Sequence, residues 1–239
     1  MINQKPLNPC WIILVSAFIL LIMSCDKKDQ DNQQPQTVTD IDGNVYQTVK
    51  IGKQIWMSEN LRTTKYSNGD TIGTTDPFNK SIADEINPKY QWVYHGEEKY
   101  LLPYGRLYTY YVVTDSRSVC PTGWHVPDFS EYTELEDTLG GSSIAGGKLK
   151  ESGFDHWLNP NTDGTNLSGF TALPGGYRSH AGGNTISGSQ SLGSYGFYWT
   201  ITPVDNEFAH SRRIMNNVGA IYDHITEKND GVSIRCLKN

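Results

Sequence analysis

The sequence predicts one exported α+β domain with two helices, mostly antiparallel strands and long loops, closed by one disulfide. Short runs of β-branched and aromatic residues alternate with Gly, Asn and Asp turns along most of the chain. One segment shortly after Cys120 carries a helix start signal followed by apolar residues at helical spacing. The only other cysteine beyond the first 25 residues is Cys236, close to the C-terminus.

The N-terminal segment has the layout of a secretory signal. Residues 1–24 carry a single charged side chain, Lys5, and a nearly unbroken apolar stretch over 11–23. That stretch is shorter than the roughly 20 apolar residues that a membrane span needs. Residues 22–25, Ile-Met-Ser-Cys, resemble the lipobox of bacterial lipoproteins, in which cleavage leaves an acylated cysteine as the first residue. We therefore expect a lipoprotein signal peptide over 1–24 and lipidation of Cys25, with ordinary cleavage or an uncleaved anchor as alternatives.

A polar tether is predicted between the lipid and the domain, over residues 25–37. Residues 26–36 contain no apolar side chain and cannot bury surface to offset their ordering entropy. The acidic residues Asp26, Asp29 and Asp31 resemble the surface-export signal of Bacteroidetes-type lipoproteins, although a soluble spacer would read the same way. We expect an outer-membrane lipoprotein held by its lipid anchor, either exposed at the cell surface or facing the periplasm.

The rest of the chain is predicted to be one domain without nucleic-acid partners. Residues 38–239 contain no low-complexity break and are long enough to bury a core. Loss of Lys5 with the signal leaves 19 basic against 26 acidic side chains, a formal charge of −7. That balance, without any Lys/Arg cluster, argues against binding to nucleic acid and against electrostatic binding to a membrane.

The cysteine count restricts the possible bridges. Cys10 lies in the predicted signal and Cys25 is the predicted lipid site, so Cys120 and Cys236 are the candidates in an oxidising compartment. Closing a loop of that length would stabilise the fold by roughly 4 to 5 kcal/mol. Two free thiols are the alternative. A zinc site is disfavoured because no CxxC or neighbouring His pair accompanies these cysteines, and we expect no metal and no cofactor.

The first part of the domain is predicted to consist mainly of strands. A turn at 40–44 precedes a strand at 45–51, and a short turn separates that strand from another at 55–57, a β-meander. A further strand is predicted at 91–94. The stretch 104–113 has the composition of a strand, but we predict a helix there because four apolar residues follow one helical face, namely Tyr104, Leu107, Tyr108 and Tyr111.

The second part begins with the clearest helix. Asp128 and Glu131 have the spacing of a capping box, Tyr132, Leu135 and Leu139 follow one face, and Gly140 ends the segment. A shorter helix is predicted over 144–150. Further strands are predicted at 170–173, 198–202, 209–215, 220–224 and 232–236.

Six segments, in order, resemble the successive signatures of the Fibrobacter succinogenes major paralogous domain. They are Asp-Ile-Asp-Gly-Asn-Val-Tyr at 40–46, Trp-Met-Ser-Glu-Asn-Leu at 56–61, Tyr-Gly-Arg-Leu-Tyr at 104–108, Cys-Pro-Thr-Gly-Trp-His-Val-Pro at 120–127, Gly-Phe-Thr-Ala-Leu-Pro-Gly-Gly-Tyr-Arg at 169–178 and Ser-Ile-Arg-Cys at 233–236. The resemblance implies a Bacteroidetes or Fibrobacteres lipoprotein with a fold similar to C-type lectin-like and formylglycine-generating-enzyme domains. It also implies a bridge between a cysteine near the first helix and one in the last strand, where Cys120 and Cys236 lie.

Catalysis and calcium binding are not expected from these residues. A formylglycine-generating enzyme needs a reactive cysteine pair that holds copper, and a Cys120–Cys236 bridge would leave no thiol for it. The Glu-Pro-Asn, Gln-Pro-Asp and Trp-Asn-Asp motifs of calcium-dependent lectins are absent. The oxygen-rich run 159–166 has the alternating spacing of a calcium loop, but Phe170 stands where an EF-hand places its bidentate Glu, so an ordinary loop is favoured. No partner carboxylate or thiolate is evident for His125, which we expect to be structural.

The remaining candidate is a binding surface beside a long Gly/Ser/Asn-rich loop at 179–194. Trp157, Tyr177, Arg178 and His180 flank this loop, and long loops commonly carry ligand sites on rigid scaffolds. Packing of Trp157 and Tyr177 into the core is the alternative. We expect a non-enzymatic module of the cell envelope that binds carbohydrate or a surface protein. A structural or assembly component of the envelope or of surface polymers is the second hypothesis, and a formylglycine-enzyme-like catalyst is a distant third.

Overall fold

The structure is a computed structural model that describes Met1 and residues 36–181 and 190–239. The chain divides into two units, Met1–Gln34 and Pro35–Asn239, and every described residue except Met1 belongs to the second. The predicted lipidation site Cys25, most of the predicted signal and tether, and residues 182–189 of the long loop lie outside the described residues. Among the described helices, none is long and apolar enough to cross a bilayer.

The described part of the second unit is an α+β fold with eleven strands and four α-helices. In chain order the elements are β1 (Thr37–Thr39), β2 (Val45–Ile51), β3 (Gln54–Met57), β4 (Gln91–Val93), α1 (Leu101–Tyr104), β5 (Arg106–Tyr108), α2 (Tyr110–Val113), β6 (Trp124–His125), α3 (Phe129–Thr138), α4 (Ser142–Leu149), β7 (Tyr195–Pro203), β8 (Phe208–Met215), β9 (Ile221–Glu227), β10 (Val232–Ser233) and β11 (Leu237–Lys238). Two 3₁₀ turns, Tyr94–Gly96 and Glu98–Tyr100, lie between β4 and α1.

The strands form two sheets that the C-terminal segment connects. One sheet has the order β1-β2-β3-β11-β6 and the other β4-β5-β10-β7-β8-β9. All pairings are antiparallel except that of β10 with β7. β10 and β11 are only three residues apart in the chain, so residues 234–236 cross from one sheet to the other. The strand predicted over 232–236 is therefore wrong in its second half.

The two predicted helices after Cys120 are present, and the first begins as expected. Asp128 accepts a hydrogen bond from the backbone N–H of Glu131 at 2.8 Å, and Glu131 accepts one from the backbone N–H of Asp128 at 2.8 Å. This reciprocal capping box satisfies two N–H groups at the start of α3. Helix α4 occupies Ser142–Leu149 and thus begins and ends earlier than the predicted 144–150.

The helix predicted over 104–113 is wrong, because the stretch contains two one-turn helices separated by a strand. Gly105 ends α1 with a φ of 73°, and a Cβ at this position would lie 2.7 Å from the Cβ of Asn60. The following residues pair instead with strands on both sides: Leu107 lies opposite Trp92 of β4 and Ser233 of β10. The predicted strand at 170–173 is also absent, and only an isolated bridge joins Ala172 to Lys150.

The core consists of two clusters on opposite faces of the larger sheet. Phe197 and Trp199 point into one cluster, which contains the disulfide between Cys120 and Cys236. Tyr198, between them in β7, points into the other cluster with α3 and α4. This alternation follows from the period of two in a strand. The predicted disulfide is thus present and buried in the core.

Candidate binding groove

A groove opens beside β7, β8 and β9 at the base of the long loop. Its cavity of about 370 Å³ mixes aromatic, charged and small polar side chains. The lining residues are Tyr177, Ser191, Tyr195, Phe197, Phe208, Arg213, His224, Ile225, Thr226, Glu227, Asp230 and Val232. We call this set the aromatic groove. Open cavities with aromatic walls and a few polar groups are typical of ligand sites.

Four rings form one wall of the aromatic groove, with Phe197 at their centre. The ring centroid of Phe197 lies 5.8 Å from that of Tyr195, with the two planes 12° apart. Tyr177 packs edge-on at 5.4 Å and His224 is tilted at 5.3 Å. Phe197 is only 7% exposed, whereas the other three rings are half-buried and thus reach the surface. Contacts of this kind hold the rings in fixed orientations.

Arg213 provides a positive charge next to these rings. It lies directly opposite Phe197 in the pairing of β7 with β8, so both side chains are on the same face of the sheet. Its Nε is buried and has no hydrogen-bond partner in the described part of the chain. Burial, and to a lesser extent the charge of Arg213, lowers the pKa of His224. His224 is therefore neutral at neutral pH.

The other end of the aromatic groove is acidic, and its carboxylates contact His180 of the loop. His180 contacts Asp230 through Nδ1 at 2.8 Å and Glu227 through Nε2 at 3.0 Å. The backbone N–H of His180 also donates to Asp230 at 2.8 Å. The hydrogen bond to Asp230 raises the pKa of His180, and burial opposes it. Asp230 and Glu227 line the groove, while His180 lies behind them in a neighbouring cavity.

Comparison with known protein families identifies the domain. The family model described as the Fibrobacter succinogenes major domain matches residues 49–238. The chain belongs to this family. No curated protein and no solved structure matches the chain.

Only two of the four side chains predicted to flank the site lie near the aromatic groove of this Fibrobacter succinogenes major domain. Tyr177 lines the groove and His180 contacts two of its carboxylates. Trp157 is 1% exposed, and its Nε1 donates to the carbonyl of Ala172 at 2.9 Å, so it packs in the core as the alternative interpretation proposed.

Arg178 is fully buried and is also part of the scaffold. Its guanidinium lies 3.9 Å from the ring centroid of Trp92 and donates to the carbonyls of Phe78, Lys80 and Ser179. Neither Arg178 nor Trp157 has a face free for a ligand. The structure therefore corrects their assignment to the binding surface, because burial and hydrogen bonding within the chain occupy both side chains.

Most groove residues escaped the sequence reasoning, among them Tyr195, Phe197, Arg213 and His224. Tyr195 and Phe197 alternate along β7, but the predicted strand began only at 198 and missed them. Arg213 and His224 lie within predicted strands and share the face of Phe197, since residues two apart point to the same side. A predicted strand that began three residues earlier would have placed Tyr195 and Phe197 on one face of β7.

Several polar groups of the oxygen-rich run 159–166 form hydrogen bonds with other residues of the chain. The carbonyl of Thr162 accepts a hydrogen bond at 2.6 Å from Nζ of Lys150, a fully buried lysine whose pKa burial lowers to about 8. The side chain of Asn166 bonds twice to Thr171, and that of Asn161 donates to the carbonyls of Glu151 and Gly153. Within the described residues, no group of three or more His, Cys, Asp or Glu side chains could hold a metal ion.

His125 has a partner that the sequence did not reveal. Its Nε2 lies 2.8 Å from Oε1 of Glu131, and its Nδ1 lies 2.6 Å from Oδ1 of Asn239. The nearby hydroxyl of Ser130 donates to Asp128 instead of approaching the imidazole. His125 thus links the start of α3 to the C-terminal residue, a structural role.

Three family signatures meet at Arg235. Its fully buried guanidinium donates to Asn60 and Met57 of the second signature and to the carbonyls of Phe170 and Thr171 of the fifth. The distances are 2.8 Å to Oδ1 of Asn60, 3.2 Å to the carbonyl of Met57 and 2.9 Å to that of Thr171. These signatures therefore specify the scaffold on which the aromatic groove is built.

Proposed function

We propose that this domain is a non-enzymatic binding module of the cell envelope and that its aromatic groove takes a carbohydrate. The observation that carries the proposal is the ring of half-exposed aromatic side chains around an open cavity with polar groups at both ends. A sugar ring has an apolar face for Tyr177 or Tyr195 and hydroxyls for Glu227 and Asp230. Large, rigid side chains such as Tyr bury ligand area at a low cost in conformational entropy.

A binding role suits the groove better than a catalytic one. Nucleophilic catalysis needs a hydroxyl or thiol within hydrogen-bond reach of a base. In the described residues, no hydrogen bond joins His224 to either group, and the hydroxyl of Thr226 is paired with that of Ser211 at 2.7 Å. The stacked rings and the separated polar ends instead favour retention of a ligand.

The envelope location is part of the same proposal and has its own test. It rests on the lipobox-like residues 22–25 and on the lipoprotein character that the resemblance of the sequence implies. We also propose the C-type lectin-like fold, which is supported by the bridge between a cysteine before α3 and one after β10. Replacing Cys25 with Ala should release the protein from the membrane fraction. An unprocessed variant that stays membrane-bound would show that the signal is an uncleaved anchor.

The binding proposal is tested with the full chain, purified in detergent and applied to a glycan array. We expect a defined set of glycans to bind and the Tyr195→Ala variant to lose that binding, with a fall in melting temperature no larger than that of a tyrosine control outside the groove. Tyr100→Ala removes a half-buried tyrosine outside the groove and is the matched control. If no glycan binds and the protein self-associates, the structural or assembly role replaces the proposal.

A further inference from the structure

Arg213 differs from every other arginine of the chain, all of which the structure describes. Each of the other six donates at least one hydrogen bond to a described residue, and three of them also form ion pairs. Arg213 donates no hydrogen bond to any described residue, and its guanidinium lies 5.8 Å from the centroid of the Tyr222 ring. Its Nε is buried, but the terminal nitrogens of this half-buried guanidinium remain available as donors to a ligand that brings acceptor oxygens.

We propose that the aromatic groove selects an acidic sugar and that Arg213 binds the carboxylate of a uronic acid unit. This inference rests on the proposed carbohydrate-binding function. A carboxylate presents two oxygens in the plane that a guanidinium fork requires, and such bidentate pairs are stronger than neutral hydrogen bonds.

The surroundings of Arg213 match the rest of such a sugar. Phe197 is its cross-strand neighbour, and the stacked ring of Tyr195 extends the apolar surface beside it. A sugar ring on this surface would direct its carboxylate towards Arg213. Neutral His224, next to Phe197, offers a further hydrogen bond without a competing charge.

The acidic end of the groove limits the ligand to one anionic group at this site. Glu227 and Asp230 accept hydrogen bonds from hydroxyls but would repel a second carboxylate. His180 offsets part of their charge without reaching the cavity, because it contacts both from behind. An oligosaccharide with one uronic acid unit at Arg213 and neutral units whose hydroxyls face Glu227 and Asp230 fits this division.

The test compares acid and ester forms of the same ligand. Calorimetry with the full chain in detergent would use oligosaccharides that contain a single glucuronate, galacturonate or mannuronate unit, each beside its methyl ester, which keeps the ring but removes the charge. For the best ligand we expect the acid to bind roughly ten-fold or more tightly than the ester, the range for a hydrogen bond to a charged group. The Arg213→Gln variant should bind both forms with similar, weak affinity.

Two further variants keep the result interpretable. Lys53→Gln removes one exposed charge outside the groove and should retain the full acid preference. Arg213→Lys keeps the charge but not the fork, and should bind the acid with intermediate affinity even if the Gln variant folds poorly. Equal binding of acid and ester by the unmodified protein would overturn the inference while leaving carbohydrate binding intact. Binding of no saccharide, acidic or neutral, would overturn the proposed function as well.

Discussion

Replacing Arg235 with Met should be among the most destabilising substitutions in this domain. Methionine has a similar length but no donor, so it removes all the hydrogen bonds that the guanidinium makes. Their acceptors, in Met57, Asn60, Phe170 and Thr171, would stay buried without these partners. Burial lowers the pKa of Arg235, and no carboxylate forms an ion pair with it in the described residues. Carbonyl and amide oxygens and the face of the Phe170 ring, whose centroid is 4.4 Å away, compensate for its charge.

The magnitude follows from two opposing effects. Each buried acceptor left without a donor costs about 1 to 3 kcal/mol. Removing a buried charge recovers part of that cost, because the guanidinium no longer has to be desolvated on folding. We therefore expect a net loss of about 3 to 5 kcal/mol, at the upper end for single substitutions. For a domain of this size the melting temperature should fall by roughly 6 to 20 °C.

The assay is urea and thermal unfolding followed by circular dichroism. Lys53→Met is the control, because this lysine is exposed, forms no ion pair with a described residue and should cost less than about 1 kcal/mol. Arg235→Lys keeps a charge but cannot reach acceptors on both sides, so its loss should lie between the other two. An Arg235→Met protein as stable as the Lys53→Met control would refute the role assigned to this residue.

Three further predictions concern stability. Reduction of the Cys120–Cys236 bridge should cost roughly 4 to 5 kcal/mol because it frees a long loop in the unfolded chain, and thiol titration before reduction should find both cysteines unreactive. Trp157→Ala should cost about 3 to 5 kcal/mol in unfolding experiments, since the side chain is buried in the core. The pKa of His180 is higher in the folded protein than in the unfolded chain, so its protonation stabilises the fold. This contribution is complete below about pH 6.5 and is lost as the pH rises through the pKa of the folded state. The His180→Gln variant should therefore show a smaller fall in melting temperature from pH 6 to 8.5.

Each of these predictions has a contrary outcome. Reactive thiols at Cys120 and Cys236 in the unreduced protein would disprove the bridge. A Trp157→Ala variant that loses ligand binding but keeps its melting temperature would return this residue to the binding surface. Asp230 and Glu227 raise the pKa of His180, and Arg178 lowers it. The depressed pKa of His224 makes stability rise with pH at lower pH, which is the opposite dependence. An unchanged slope in the His180→Gln variant would mean that this imidazole does not titrate differently on folding.

Local signals in the sequence predicted the elements whose interactions are local. The capping box of α3 involves residues three apart, and the strand at 45–51 pairs with its neighbour across a short turn. The prediction of a helix over 104–113 was wrong because pairing with distant strands outweighed the helical spacing of its apolar residues. Gly105 must approach Asn60 closely in a left-handed conformation, and the next residues complete a sheet whose other strands lie far away in the chain.

The aromatic groove was only partly predictable because its residues come from separate segments. Tyr177 and His180 were found through their position beside a long loop. Phe197 and Arg213 become neighbours only through the register of β7 with β8, which single-strand patterns do not contain. Trp157 was assigned to the surface because an aromatic residue beside a loop has the same sequence signal whether it packs inwards or outwards.

Arginine serves two opposite purposes in this domain, and the difference separates scaffold from site. Arg178 and Arg235 are fully buried, and oxygens of the chain itself accept their hydrogen bonds. Both side chains therefore stabilise the packing of loops and signature segments. Arg213 lines a cavity and donates no hydrogen bond to any described residue, so its terminal nitrogens remain available to a ligand. Replacing Arg178 or Arg235 should lower the unfolding free energy whether or not a ligand is present. Removing Arg213 should leave the unfolding free energy almost unchanged and affect only a partner that brings its own acceptors.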